Sequence, residues 1–200
     1  MAEDQVDSRR RNFLWGVASG LGAVGVAGMA VPFVGSMMPA ADTMAVSTTE
    51  FNLDTLVPGQ LVVIAWQGKP VFVVHRTEPM LSRLKEYEYK LKDPESLADP
   101  RVQADWMKTT EQRMTRSIKP EHLVLIANCT HLGCIPLFKP SPGRAEWGSS
   151  VPEDWPGGWH CPCHGSLYDL AGRVIDGSPA PFNLYTVPYK YLSDTKILIG

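Results

Sequence analysis

The spacing of apolar residues changes character several times along this chain. Residues 13–35 carry no charge, and at 1.5 Å per residue they make roughly 34 Å of helix, enough to cross a bilayer core. Pro32 is expected to kink or end the last turn. Residues 36–49 have no periodicity and predict a flexible linker. Beyond them, runs at 51–53, 60–66 and 69–75 are parted by Pro58-Gly59 and Gln67-Gly68, the pattern of consecutive strands and a hairpin. Within 77–89, Met80, Leu81, Leu84 and Tyr87 recur at helical spacing and predict a surface helix. Residues 90–117 are polar and fit neither period. Residues 122–129 read as a buried strand that leads into a cysteine-rich region. With 17 glycines and 17 prolines, long helices must be few. The expected fold class is mainly β: an N-terminal transmembrane helix, then an antiparallel β domain. The expected organisation is 1–12 cytoplasmic, 13–35 anchor, 36–49 hinge and 50–200 head, with a site-bearing subdomain at about 123–186.

Composition narrows the function classes. Hydrophobic residues make up 44% and charged ones 20%, which excludes disorder. Nineteen Lys+Arg against 21 Asp+Glu leave a net charge of −2, without the basic surplus of a nucleic-acid binder. The distribution of charge says more. Arg9, Arg10 and Arg11 precede the apolar run, and the next basic residue is Lys69, so the N-terminus stays in the cytoplasm and the head is exported. The expected location is a single pass through a bacterial inner membrane, with the head on the periplasmic side. Arg10-Arg11-Asn12-Phe13-Leu14 reads as a twin-arginine signal, used by proteins exported already folded. A cleaved signal peptide is the competing reading, with Ala40 and Ala41 behind the run. Its length, and the small-residue stripe of Gly16, Gly20, Ala23 and Ala27, favour a retained anchor.

All four cysteines fall in two boxes, Cys129-Thr130-His131-Leu132-Gly133-Cys134 and Cys161-Pro162-Cys163-His164-Gly165-Ser166. Thiolate and imidazole donors in a C-x-H … C-x-x-H pattern suit tetrahedral zinc, and equally a cluster in which two Cys hold one iron and two His the other. The first box is tighter than a zinc knuckle, and two cysteines left over make poor sense for zinc. His75 and His122 bound apolar strands and read as structural. His160 abuts Cys161 and is expected to turn away. Trp147, Trp155 and Trp159 should cover the head, and Met37, Met38 and Met44 are linker filler.

The boxes, the Arg-flanked anchor, the linker and a Gly-x-Pro-Ala-Pro stretch at Gly177, Pro179, Ala180 and Pro181 resemble the Rieske iron-sulfur proteins of quinol-cytochrome c oxidoreductase (cytochrome bc) complexes. The resemblance implies a Rieske-type β domain with one 2Fe-2S cluster, Cys129 and Cys161 on the inner iron and His131 and His164 on the outer. It implies that Ser166 donates to a bridging sulfide and Tyr168 to a ligand cysteine, with Leu132 and Pro179 to Pro181 flanking the cluster. Cys134 and Cys163, the spare thiols of an exported chain, are expected to pair as a disulfide. His164 and His131 would be the catalytic residues. The implied partners are a cytochrome b subunit, a c-type cytochrome and quinol, in a dimeric complex. Ser178 adds a residue to the family's usual Gly-Pro-Ala-Pro. Two imidazoles in place of two thiolates raise the potential to roughly −150 to +300 mV, and hydroxyl donors raise it further. A second reading is the small Rieske subunit of an exported molybdenum oxidoreductase such as arsenite oxidase. Rieske ferredoxin and oxygenase domains fit poorly, since their boxes sit closer together and they usually lack the spare cysteines.

Overall fold

A computed structural model describes residues 7–38 and 47–200, which fall into an N-terminal unit and a head. In the first unit one helix, α1 (Ser8–Ser36), has Asp7 as its cap, the carboxylate accepting from the Arg9 N–H at 2.9 Å. The helix therefore starts before residue 13, because the cap satisfies an orphan donor and arginines are good helix formers. Pro32 does not end it. One backbone donor is lost there and the helix still runs to Ser36. Ser36 is thus helical and Thr49 belongs to the first strand, so both ends of the expected 36–49 hinge differ from the reading; residues 39–46 of it lie outside the described residues.

The head contains three small antiparallel sheets. One orders β1 (Thr49–Asn52), β9 (Lys196–Ile199) and β8 (Tyr189–Ser193); the second orders β2 (Leu61–Trp66), β3 (Lys69–His75) and β4 (His122–Ile126). The third orders β5 (Leu137–Lys139), β6 (Gly158–His160) and β7 (Leu167–Asp169). Gln67 and Gly68, both at positive φ, make the tight β2–β3 turn that matches strand twist. The predicted helix is α2 (Glu78–Glu86), and a shorter α3 (Thr110–Thr115) lies in the stretch without a readable period.

Strands β3 and β4 of the middle sheet are buried on both faces, which explains their continuous apolar runs, whereas the edge strand β2 leaves Val63 exposed. Val71, Val73, Val124 and Ile126 face the first sheet's Ile197, Ile199 and Tyr189. Their neighbours Phe72, Val74, Leu123 and Leu125 face Trp159, Tyr168, Cys129 and Cys161. A period of two thus sends alternate residues of the same strands into two cores. Phe72 stacks on Trp159 with ring centroids 5.7 Å apart. β4 ends at Ile126, short of the expected residue 129, although the Ala127 N–H still reaches the Pro70 carbonyl at 2.8 Å. The chain then turns into the first box.

Candidate metal centre

The two boxes fold alike. In the first, the Cys129 N–H donates to the Cys134 carbonyl at 2.7 Å and the Gly133 N–H returns to the Cys129 carbonyl at 2.9 Å. In the second, the Cys161 N–H donates to the Ser166 carbonyl at 2.8 Å and the Gly165 N–H to the Cys161 carbonyl at 2.9 Å. Gly133 and Gly165 sit at φ +86° and +78°, where a side chain would be strained, so the glycine four places after each first cysteine closes its loop. Each loop buries its leading cysteine, 3% exposed for Cys129 and 2% for Cys161, and lifts a histidine to its tip. The His131 and His164 rings meet edge to face with centroids 4.7 Å apart, His164 exposed and His131 half-buried.

Cys134 and Cys163 form a disulfide that ties the loops together. Their sulfurs and that of Cys161 lie within 4.8 Å of one another, but the bridge leaves only Cys161 of the three as a thiol donor. The other free thiol is Cys129. Burial by itself would raise the Cys129 thiol, but donors from the Tyr168 hydroxyl, the His131 N–H and the Ser166 hydroxyl hold it below its usual range. Burial pushes the Cys161 thiol up. His131 Nδ1 is buried and has no hydrogen-bond partner. A buried imidazole nitrogen without a hydrogen-bond partner has a lone pair free for a metal. The residues present therefore fit a mixed Cys/His cluster, with imidazole on the open side.

Two hydroxyls beside the cysteines each accept a backbone N–H, which leaves each one proton to give. The Tyr168 oxygen lies 3.1 Å from Cys129 Sγ and accepts the Thr130 N–H at 3.1 Å, so its own proton is shared between the sulfur and Thr130 Oγ1. Thr130 Oγ1 also touches it at 3.1 Å and donates to the Phe182 carbonyl. The Ser166 oxygen accepts the Ala180 N–H at 3.2 Å, leaving its proton for the cluster side. Burial keeps the Tyr168 phenol protonated, far above its usual range. Gly158 permits this approach of β6 to β7, since a Cβ there would strike the Tyr168 carbonyl.

Thr130 and Ser178 were not picked out as functional by sequence reasoning. Ser178 Oγ accepts the Leu167 N–H at 3.1 Å and contacts the Leu167 carbonyl at 3.3 Å, so the added residue stitches the Pro-Ala-Pro loop to β7. Leu132 in the first box is 70% exposed, and Ile135 at 50% and Leu137 at 51%, further along the chain, are exposed as well. Of the loop expected to flank the site, Ala180 is buried while Pro179 and Pro181 are exposed. His160 takes no part in the histidine pair, and its Nδ1 is buried without a partner. His75 and His122 face each other across β3 and β4, with centroids 4.9 Å apart. Trp155 and Trp159 are core residues, and Trp147 packs at the edge of that core.

Such a site, on a head of antiparallel sheets, defines the class of Rieske proteins. The family model described as "Rieske [2Fe-2S] domain" matches residues 89–188, and "Ubiquitinol-cytochrome C reductase Fe-S subunit TAT signal" matches residues 1–40. The chain is 47% identical to the ubiquinol-cytochrome c reductase iron-sulfur subunit of Allochromatium vinosum over 100% of its own length and 92% of the relative's. It is 42% identical to the subunit of the same name from Rhodospirillum rubrum, over 97% and 93%, and 38% identical to that of Blastochloris viridis, over 100% and 97%. The chain belongs to the family of Rieske iron-sulfur subunits of ubiquinol-cytochrome c reductase. It is accordingly an electron-transfer subunit of a cytochrome bc1 complex and carries a Rieske-type 2Fe-2S cluster. The arsenite oxidase alternative is not favoured.

Proposed function

We propose that Cys129 and Cys161 hold the inner iron and His131 and His164 the outer, His131 through its buried Nδ1. The observation that carries this is the pairing of two buried free thiols with two apposed imidazoles, one with an unpartnered inner nitrogen. Bound there, the cluster supplies a one-electron acceptor whose potential is raised by the neutral imidazoles and the hydroxyl donors. His164, exposed at the tip, offers its outer nitrogen to a quinol hydroxyl, accepts that hydrogen bond and takes up the proton. The His131 ring buttresses it from the side. The exposed apolar side chains of Leu132, Ile135 and Leu137 dock against a cytochrome b subunit and exclude water from the quinol contact. The electron leaves to a c-type cytochrome, from a head on the periplasmic side of the bacterial inner membrane. The N-terminal helix α1, long and apolar enough to span, anchors the head with its arginines in the cytoplasm, in a dimeric complex.

The test is quinol oxidation in the assembled complex. His164→Ala should abolish both quinol oxidation and the reduced-cluster EPR signal, whereas Leu132→Ala should keep the signal and raise the quinol concentration needed for half-maximal rate. A His164→Ala complex that retained a normal cluster would refute the ligand assignment.

A further inference from the structure

The segment 90–117 yields no periodic pattern, yet it lies directly behind the Pro-Ala-Pro loop. Leu91 bridges to Ile175, the Lys92 N–H donates to the Val174 carbonyl at 3.1 Å, and the Asp176 N–H to the Lys90 carbonyl at 2.8 Å. This short antiparallel contact fixes where the Lys92 side chain goes. Its Nζ donates to the Ser178 carbonyl at 2.7 Å and to the Ala180 carbonyl at 3.0 Å. Those carbonyls stand on either side of the Pro179–Ala180 peptide, and that peptide's N–H is the donor to Ser166 Oγ. Asn183 completes the attachment just beyond the loop, donating to the Asp93 carbonyl and to Ser96 Oγ, both at 2.9 Å.

We propose that Lys92 is a positioning residue for the cluster: by gripping the peptides on both sides of the Ala180 N–H, it keeps that N–H on the Ser166 oxygen and so keeps the Ser166 proton directed at sulfur. The chemistry follows from hydrogen-bond inventory. A serine hydroxyl has one proton and two lone pairs, and it can turn that proton toward any nearby acceptor. An N–H held against one lone pair removes the freedom to donate in that direction. The prolines at 179 and 181 stiffen the loop, but they fix φ only and leave the Ala180 plane free to rock. An ammonium bonded to carbonyls on both sides prevents the rocking with charge-assisted hydrogen bonds. Tyr168 needs no such outside help, because its fixing donor, the Thr130 N–H, lies within the first box itself. Of the two hydroxyl donors, Ser166 alone depends on a residue far from the boxes.

This inference rests on the ligand reading above, and the experiment separates the two. The full-length chain in its assembled complex is titrated by EPR-monitored reduction, as wild type, Lys92→Met, Ser166→Ala and the double variant. Lys92→Met keeps the aliphatic stem and removes the ammonium. Weakening one hydrogen bond to sulfur should shift the reduced-to-oxidised ratio about threefold toward oxidised at fixed ambient potential, or about 28 mV at 59 mV per tenfold for one electron. In the Ser166→Ala background the same change should have no further effect, because the residue it positions is gone. An equal shift in both backgrounds would mean that the ammonium acts on the cluster directly by its charge, and would overturn the proposal. A lowered melting temperature with unchanged potential would make Lys92 a structural staple only, and would also overturn it. Should Lys92→Met not assemble, Lys92→Gln carries the same expectations. If Ser166→Ala alone leaves the potential unchanged, Ser166 is no donor to sulfur and the proposal falls while the ligand reading stands; if it shifts while Lys92→Met does not, only the positioning role fails. A wild-type chain without a histidine-coupled cluster signal would sink the ligand reading itself.

Discussion

Replacing Tyr168 by Phe isolates one proton beside one sulfur. The ring is fully buried and packs among Trp159, Val174 and Leu184, and Phe preserves its shape. What is lost is the hydroxyl 3.1 Å from Cys129 Sγ. A hydrogen bond to a charged acceptor contributes about 1.5–3 kcal/mol against about 0.5–1.5 for a neutral one. The bond to sulfur strengthens as the cluster gains negative charge, so about 1 kcal/mol of the difference favours the reduced form. At 1.4 kcal/mol and 59 mV per tenfold for one electron, the variant's potential should fall by about 40 mV. A second effect is separable. The Thr130 N–H loses its acceptor while Thr130 Oγ1 keeps the Phe182 carbonyl, so one orphaned donor should cost about 1–3 kcal/mol of stability. EPR-monitored redox titration reads the first quantity and denaturant unfolding the second. An unchanged potential in a folded, cluster-bearing variant would refute the view that this hydroxyl donates to the sulfur.

Two further outcomes follow from the same geometry. Cys134→Ser removes a cross-link with a sequence separation of 29, and loop-closure entropy sets its worth at about 3–4 kcal/mol, so thermal unfolding and iron loss should both come earlier; full retention of cluster and melting temperature would show that the bridge is dispensable. Burial first, then the neighbouring His75, holds the His122 imidazole below its usual range, with Glu121 opposing and Lys119 and Arg76 adding to the effect. The folded head therefore resists a proton that the unfolded chain accepts near pH 6.5, so stability should be insensitive to this group above that pH and decline as pH drops below it. Denaturant midpoints at pH 7.5 and 5.5 should converge in His122→Gln, and an undiminished gap in that variant would contradict the assignment.

The boxes were readable because their chemistry is local: a cysteine, a glycine four places later and a histidine between or beside them dictate the loop. The two-sided core of β3 and β4 was readable as an unbroken apolar run. Segment 90–117 was opaque for a physical reason, since it contributes single polar groups in place of a repeating face. Lys92 reaches the Pro-Ala-Pro loop, Arg101 lies over Phe182 and Tyr185, and Arg116 donates to the carbonyls of Val102, Ala171, Gly172 and Leu184. No periodicity announces contacts made one residue at a time. The Thr130 role was legible only in part, because its neighbours were picked out as ligands but its partner Tyr168 lies on another strand. The helix start at Ser8 was missed because the reading stopped at the last charge, whereas a helix needs only a cap and good formers.

The central claim is that two thiolates and two imidazoles hold the iron, and pulsed EPR of the reduced, full-length holoprotein labelled with nitrogen-15 histidine tests it most directly. The account predicts couplings from two histidine nitrogens in the wild-type chain. A paramagnetic cluster without histidine coupling, or a folded protein carrying zinc in place of iron, would contradict it.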